Sequence, residues 1–220
     1  MVLLGETFPN FSADTSDGPI EHFHEWIGDS WAVLFSHPAD YTPVCTTELA
    51  KVVTLEPEFK KRNVKLIALS CDNVDNHRGW GKDVLEYSGC KLDKVPYPII
   101  ADEKRELAVQ LGMIDPDEKT SEGLPLTARA VFIVGPDKKL KLSILYPATT
   151  GRNFNEILRV IDSLQLTSTK KVATPVDWQQ GDKCMVIPTL SNEEALQLFP
   201  NLETHALPSG KEYLRLTPQP

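Results

Sequence analysis

The segment WAVLFSHPADYTPVCTTEL, residues 31–49, joins an apolar run to the start of a helix that carries a cysteine. The first six residues are bulky and mostly apolar, which is typical of a strand buried on both faces. Apolar residues then recur at helical spacing from Leu49 to Leu55, and a second apolar run, VKLIALSCD, covers residues 64–72. The segment therefore predicts a strand–helix–strand unit, and we expect Pro57 to bend or interrupt its helix.

The rest of the chain predicts further strands and helices in alternation. A short strand is expected over residues 97–100, and an antiparallel hairpin of strands over 128–134 and 140–147 surrounds GPDKK. Parallel and antiparallel strands with helices between them indicate an α/β fold with a mixed central sheet flanked by helices. The predicted helices cover residues 74–88, 103–113 and 153–166.

The composition changes after residue 166, where a stretch rich in Thr, Lys and Pro is typical of a connection. A short helix over 190–200 and a hairpin-like tail over 207–216 follow it. We therefore predict a first domain at residues 1–166 and a smaller C-terminal domain at residues 167–220. The second domain is expected to be too small to bury a core alone, and to pack on the first domain or on a second subunit.

Composition excludes several classes of protein. The chain has 220 residues, a net charge of -8 and no concentrated basic face, so we expect no nucleic-acid partner. The N-terminus MVLLGETFPNF lacks the pattern of a secretory signal, and no apolar run is long enough to predict a transmembrane segment. Four cysteines without dense spacing favour free thiols in a reducing compartment, so we expect a cytoplasmic protein.

Cys45 has the neighbours expected of a reactive thiol. Thr42 is placed as the helix N-cap and Pro43 as the first helical residue, so Cys45 falls in the first turn. The unpaired amides and the dipole of a helix N-terminus stabilise negative charge, and a thiol reacts as its thiolate. The alternative at this point is a buried cysteine that acts as a small apolar residue.

Several motifs resemble those of the peroxiredoxins. PADYTPVC, residues 38–45, matches the Pro-x-x-x-Thr-x-x-Cys signature of the family, and the stretch from Arg129 to Phe132 is similar to its second signature. LYPATTGRN, residues 145–153, and VATPVDWQQGD, residues 172–182, resemble the one-cysteine subgroup. The resemblance covers essentially the whole chain, with its motifs in the order of the family.

This resemblance implies a thioredoxin-like fold with a smaller C-terminal domain, and an antioxidant thiol peroxidase that reduces hydrogen peroxide and organic or lipid hydroperoxides. Cys45 would attack the peroxide and become a sulfenic acid. A structural role for His37, and a capping or bracing role for Arg152, remain open. The roles implied for the neighbours are thiolate and peroxide binding by Arg129, peroxide contact by Thr42, shielding by Pro38, a place beside the cysteine for His37 and pocket support by Arg152.

The resolving thiol of two-cysteine peroxiredoxins is absent from the corresponding stretch, Val172-Ala173-Thr174-Pro175. The resemblance therefore implies an external reductant, glutathione or another small thiol or a thiol-transferring protein. Cys71, Cys90 and Cys184 are the alternative internal partners. The resemblance also implies a homodimer, with LKLSILY, residues 140–146, and the C-terminal segment as candidate contact surfaces.

No bound cofactor or metal is expected. The pair His22 and His24, and the spacing from Cys71 to His77, fall short of the three or four ligands that a zinc site requires.

A second activity is suggested by GDSWA, residues 28–32, which is similar to the Gly-x-Ser-x-Gly motif of hydrolases. Some members of the subgroup are described as calcium-independent phospholipases A2, and the matching positions are Ser30, His24 and Asp137. Ala32 replaces the last glycine of the motif, and Ser30 precedes a strand, whereas a nucleophile elbow follows one. A non-catalytic chaperone is the remaining alternative.

Overall fold

The computed structural model describes residues 2–220. The chain divides into two compact units, the first reaching Phe154 and the second spanning Asn155–Pro220. The sequence analysis placed the domain boundary after residue 166, at the expected end of a helix. The structure instead divides near the start of that helix, so almost all of the helix belongs to the second unit.

The first unit holds a mixed sheet of five strands, together with a separate two-stranded hairpin. Its strands are β1 (Trp31–Ser36), β2 (Val64–Ser70), β3 (Ile99–Ala101), β4 (Ile114–Lys119), β5 (Pro125–Thr127), β6 (Arg129–Val134) and β7 (Leu140–Tyr146). Its helices are α1 (Phe23–Ile27), α2 (Pro43–Lys61), α3 (Val74–Ser88) and α4 (Glu106–Gln110).

Strand β1 lies at the centre of the five-stranded sheet, whose order is β3-β2-β1-β6-β7. It pairs in parallel with β2 and antiparallel with β6, so that Leu34 faces Ile67 on one side and Phe132 on the other. Every residue of β1 and β6 is buried. The mixed central sheet predicted from the sequence is confirmed. The loop that leads to Cys45 leaves this sheet at the carboxyl end of β1.

The strand–helix–strand prediction is confirmed, but Pro57 does not interrupt the helix. Helix α2 continues through Pro57 to Lys61. A proline removes one backbone hydrogen bond from a helix. The apolar side chains that α2 buries on either side of it, such as Val53 and Phe59, offset that loss.

Several predicted boundaries shift for local reasons. Helix α4 begins at Glu106 rather than at residue 103, because Arg105 adopts a left-handed conformation with φ 61°. The Asp102 carboxylate then accepts the amides of Leu107 and Ala108. Strand β3 covers Ile99–Ala101 rather than residues 97–100. The β4–β5 hairpin was not predicted.

The second unit has a four-stranded sheet of order β10-β11-β9-β8. Its elements are α5 (Phe154–Thr169, beginning in the first unit), β8 (Val172–Ala173), β9 (Cys184–Val186), α6 (Asn192–Leu198), β10 (Glu203–Thr204) and β11 (Arg215–Thr217). Trp178 and Phe199 are buried in an apolar cluster of this unit, so the expectation that residues 167–220 bury no core of their own was wrong.

The predicted C-terminal hairpin is also different, because β11 pairs with β10 rather than with residues inside 207–216. Within residues 2–220, no helix has both the length and the apolar character that crossing a membrane would need.

Candidate active site

The fold places Cys45 in the first turn of α2, directly after the loop that leaves β1. Its side chain is fully buried. Pro43 occupies the first turn as predicted, and Thr42 has the extended backbone of an N-cap residue. The Thr42 side chain accepts no hydrogen bond from the amides of the helix, however, and its hydroxyl donates to the Ala39 carbonyl at 2.8 Å. The amides of the first turn therefore keep their positive potential at the sulfur.

Arg129, the first residue of β6, lies against the sulfur of Cys45. Its Nη1 donates to Cys45 Sγ at 3.4 Å and to Glu48 Oε2 at 2.8 Å. Its Nε and Nη2 both donate to the Ala148 carbonyl, at 2.9 and 2.6 Å. These contacts fix the guanidinium plane, so the structure brings Cys45 and Arg129 together across 84 residues of sequence.

Glu48 is a site residue that the sequence analysis missed. It lies three residues after Cys45 on α2 and is 4% exposed. Arg152 donates to one of its oxygens from the backbone amide at 2.6 Å and from Nε at 2.9 Å, and to the other from Nη2 at 2.7 Å. A carboxylate in the buried, otherwise apolar face of α2 was the one signal that could have indicated this role.

Arg152 holds Glu48 through these three hydrogen bonds, and its predicted role in supporting the pocket stays a prediction. Its Nη1 also donates to the Ala130 carbonyl at 2.7 Å. The guanidinium lies over the rings of Phe35 and Phe154, at 5.7 and 5.3 Å from their centroids. These aromatic faces stabilise the cation and exclude water from the ion pair.

The charges of this cluster do not cancel. Arg129 and Arg152 contribute two guanidinium charges, whereas Glu48 contributes a single carboxylate. Burial alone would raise the pKa of the Glu48 carboxyl, but the hydrogen bonds and charge of Arg152, with the charge of Arg129, hold that pKa below its ordinary value. One positive charge therefore remains in a buried site beside Cys45 Sγ. A thiolate on Cys45 would supply the missing negative charge.

His37 belongs to a second buried network, which it forms with Asp40 and His77. Its Nε2 is 2.8 Å from Asp40 Oδ1, while Asp40 Oδ2 is 2.6 Å from His77 Nδ1. Burial alone would raise the pKa of Asp40, but its hydrogen bonds to the two imidazoles hold that pKa below its ordinary value. Pro38 follows His37 and is buried. Asp40 and His77 were not predicted as site residues.

Comparisons with known proteins give the family of the chain. The family model described as the AhpC/TSA family matches residues 4–143, and the C-terminal domain of 1-Cys peroxiredoxin matches residues 163–201. The chain belongs to the AhpC/TSA family, as a one-cysteine peroxiredoxin.

Similar proteins include Peroxiredoxin-6 of Gallus gallus, 66% identical over 100% of this chain and 98% of the relative. The 1-Cys peroxiredoxin of Onchocerca volvulus is 62% identical over 98% of this chain and 97% of its own. A solved cysteine-to-serine mutant of the Peroxiredoxin 6 of Arenicola marina superposes with a TM-score of 0.98 and 70% identity, covering 100% of this chain and 99% of that one. The predicted thioredoxin-like fold and the peroxidase class of the enzyme are confirmed.

The three positions suggested for a phospholipase are engaged elsewhere in this peroxiredoxin. Ser30 donates its hydroxyl to Asn63 Oδ1 at 2.9 Å from a turn before β1. His24 Nε2 donates to the Phe8 carbonyl at 2.7 Å, and Asp137 accepts from Lys141 Nζ at 2.6 Å. These hydrogen bonds do not connect the three side chains to one another, and the phospholipase activity stays a prediction.

The other thiols of the peroxiredoxin lie in different surroundings. Burial raises the pKa of the Cys71 thiol to about 11. Burial also raises the pKa of Cys184, which lies in the core of the second unit. Cys90 is half-buried beside Ser88. The thiolate form, which attacks a sulfenic acid, is therefore scarce at Cys71 and Cys184 near neutral pH.

Within residues 2–220, His37, Asp40 and Asp72 offer ligand atoms that lie within 4.8 Å of one another. Both Asp40 oxygens already contact imidazole nitrogens, and Asp72 Oδ2 accepts from the Asp40 amide at 2.9 Å and from Ser70 Oγ at 2.8 Å. We therefore interpret the cluster as a hydrogen-bonded network. Of the residues named from the sequence, His22, His24 and Cys71 do not belong to this cluster, whereas His77 contacts it through Asp40 Oδ2.

Proposed function

We propose that Cys45 is the residue of this peroxiredoxin that reduces the peroxide, with hydrogen peroxide and organic or lipid hydroperoxides as substrates. The Cys45 thiolate attacks the terminal oxygen of the O–OH group. The S–O bond forms as the O–O bond breaks, and the other oxygen leaves as hydroxide or alkoxide and takes up a proton. The sulfur is left as a sulfenic acid.

One observation carries this proposal. Arg129 donates to the buried sulfur at 3.4 Å, and the cluster that it forms with Glu48 and Arg152 has one uncompensated positive charge. Such a site stabilises the thiolate without a separate base. The same guanidinium is placed to stabilise the charge that develops on the leaving oxygen. The direct test is loss of thiol-dependent peroxide consumption in a Cys45→Ser variant.

Thr42 and Pro38 have supporting roles in this proposal. The Thr42 hydroxyl donates to the Ala39 carbonyl, so its oxygen is left as an acceptor for a peroxide hydrogen. Pro38 is buried, brings no N–H group and limits the access of water to the loop before Cys45.

We further propose that an external thiol, glutathione or a thiol-transferring protein, reduces the sulfenic acid. The raised pKa values of Cys71 and Cys184 support this reading, because neither supplies much thiolate at neutral pH. A yeast mitochondrial 1-Cys peroxiredoxin has been solved to explain thiol resolution through glutathione and thioredoxin systems. That protein is 45% identical to this chain, with a TM-score of 0.89, covering 99% of this chain and 100% of that one.

The order of thiol labelling tests the difference between the cysteines. In the reduced protein at neutral pH, we expect iodoacetamide to modify Cys45 first and Cys71 much more slowly. The labelling of Cys71 should increase steadily as the pH rises towards 11, because its pKa is raised to about 11 by burial. Peptide mass spectrometry at several pH values measures both rates. Equal labelling of Cys71 and Cys45 at neutral pH would contradict the account.

A homodimer is also proposed, with β7 as the contact strand of the first unit. Strand β7 lies at the edge of the five-stranded sheet, and its Leu145 side chain is 61% exposed. An edge strand with exposed apolar residues is suited to pairing with a second copy. The C-terminal unit is the other surface proposed to contribute.

Leu145→Glu is expected to reduce the dimer fraction, because two copies of the carboxylate would face each other at a symmetric contact. Sedimentation velocity at several protein concentrations measures the change. Val109→Glu is the matched control, since Val109 is similarly exposed on α4 and is outside the proposed surface. An unchanged dimer in the Leu145 variant would contradict the proposed contact.

We also propose a cytoplasmic location, which the small number of widely spaced cysteines supports.

The chaperone alternative stays a prediction, because no feature of the described residues favours it over catalysis.

A further inference from the structure

The buried network around Asp40 determines which nitrogen of His37 carries a proton. The side chains of His37, Asp40 and His77 are almost completely buried, at 0%, 6% and 1% exposure. Asp40 joins the two imidazoles through its two oxygens. Buried polar atoms must satisfy one another, so the hydrogen positions follow from the chemistry of the partners.

The chain of hydrogen bonds begins at the Ile100 carbonyl. His77 Nε2 lies 3.1 Å from this oxygen, which can only accept, so Nε2 is the donor. His77 Nδ1 and Asp40 Oδ2 then share one proton across 2.6 Å. Whether this proton resides on His77 Nδ1 or on Asp40 Oδ2, Asp40 Oδ1 carries no proton and is a hydrogen-bond acceptor. His37 Nε2 must therefore be the donor to Asp40 Oδ1 at 2.8 Å.

The other nitrogen of His37 is left as a free acceptor. A neutral imidazole with a proton on Nε2 has a lone pair on Nδ1. Within residues 2–220, His37 Nδ1 is buried and has no hydrogen-bond partner. A buried acceptor of this kind can accept a hydrogen bond from one O–H group, and a hydroperoxide carries such a group.

The ring is also held in place close to the first turn of α2. The His37 amide donates to the Leu69 carbonyl at 3.0 Å, and its carbonyl accepts from Thr127 Oγ1 at 2.6 Å. The ring packs on Trp80 with centroids 5.1 Å apart. Trp80 Nε1 in turn donates to Thr46 Oγ1 at 3.1 Å, and Thr46 follows Cys45.

We propose that Asp40 and His77 are positioning residues of the peroxidase reaction, which hold His37 with Nε2 as donor to Asp40 and Nδ1 as acceptor for the hydroperoxide O–H group. This inference rests on the proposed function of Cys45. The hydrogen bond orients the terminal oxygen for attack by the sulfur. The hydrogen stays on that oxygen as the S–O bond forms and the O–O bond breaks. The leaving alkoxide takes a proton from water, and His37 transfers no proton.

The tautomer is measured directly by nitrogen-15 NMR of the histidine rings in the reduced full-length protein. His37→Gln identifies the signals of His37 among those of the five histidines. We expect the Nε2 signal to be that of a protonated nitrogen and the Nδ1 signal to be that of an unprotonated one. A proton on Nδ1 would overturn the proposal, and this result does not depend on any variant at Asp40.

Two substitutions of Asp40 separate positioning from simple stability. Asp40→Asn keeps both hydrogen bonds, because its amide N–H donates to His77 Nδ1 while its carbonyl accepts from His37 Nε2. Asp40→Leu removes both bonds. For hydrogen peroxide we expect kcat/KM to stay within about threefold of wild type in Asp40→Asn and to fall at least about tenfold in Asp40→Leu.

The control is His205→Gln, which changes an exposed histidine in the second unit and should leave kcat/KM unchanged. Equal losses in Asp40→Asn and Asp40→Leu, or no loss in either, would overturn the proposal. If Asp40→Leu does not fold, the NMR tautomer in wild type and Asp40→Asn decides instead. A Cys45→Ser variant that still turned over peroxide would contradict the proposed function itself, which is a separate outcome.

Discussion

Replacing Cys45 with serine is expected to reduce thiol-dependent peroxide consumption by at least about 10³-fold, because the hydroxyl is a far weaker nucleophile than a thiolate. The residue is buried, and serine is close to it in size, so the fold should remain intact. The arginine beside it cannot compensate, since it stabilises charge but supplies no electrons to the peroxide. Steady-state peroxide consumption with glutathione or dithiothreitol as donor measures the loss.

The matched control is Cys90→Ser, which makes the same chemical change at a half-buried thiol outside the buried arginine cluster. That variant should retain the wild-type rate. Activity that survives in Cys45→Ser but disappears in Cys90→Ser would mean that the reactive sulfur has been assigned to the wrong residue.

The second large effect is expected at Glu48, on stability. Glu48→Leu leaves two buried guanidinium groups without their carboxylate, and breaking a buried ion pair from one side costs about 3–5 kcal/mol. We therefore expect a much lower free energy of unfolding, measured by chemical denaturation. Glu58→Leu is the control, because Glu58 pairs with Lys61 and Arg62 on the exposed surface of the same helix and its loss should have little effect.

The pH dependence of the Glu48 contribution has a definite sign. Its pKa in the folded protein is held below the ordinary value of 4.5, despite burial, by the hydrogen bonds and charges of Arg152 and Arg129. A carboxylate of this kind stabilises the fold fully above the unfolded pKa, and the stabilisation is lost as the pH falls through the folded pKa. The stability difference between wild type and Glu48→Gln should therefore be largest near neutral pH and should shrink below about pH 4.5. A difference that grew on acidification would contradict the ion pairing described for Glu48.

How far the sequence predicts this protein depends on how local each feature is. The β1–α2–β2 unit and the helix that begins beside Cys45 follow from apolar periodicity and from Pro43, which act within a few residues. The β4–β5 hairpin was missed because IDPDEK combines charges with a proline, which is not the composition of a strand. Pro57 was misjudged because the packing of the whole helix outweighs one missing hydrogen bond.

The candidate site shows the same division. Cys45 and Arg129 were predicted from motifs, whereas Glu48, Asp40 and His77 were not predicted, because their partners are distant in sequence. Glu48 meets Arg152 across 104 residues, and Asp40 meets His77 across 37. Thr42 has the residue type of an N-cap, but its hydroxyl turns back to the loop. Pairings of this kind depend on which side chains the fold brings together.

In the proposed reaction, the sulfur of Cys45 takes one oxygen from the peroxide and holds it until an outside thiol arrives. The most direct measurement is the mass of the fully reduced protein after one equivalent of hydrogen peroxide, followed by peptide mapping with a sulfenic-acid trap. We expect the gain of one oxygen atom, carried by the peptide that contains Cys45. A mass decrease of two hydrogens, from a disulfide between Cys45 and another cysteine of the same chain, or an oxygen carried by a different thiol, would contradict it.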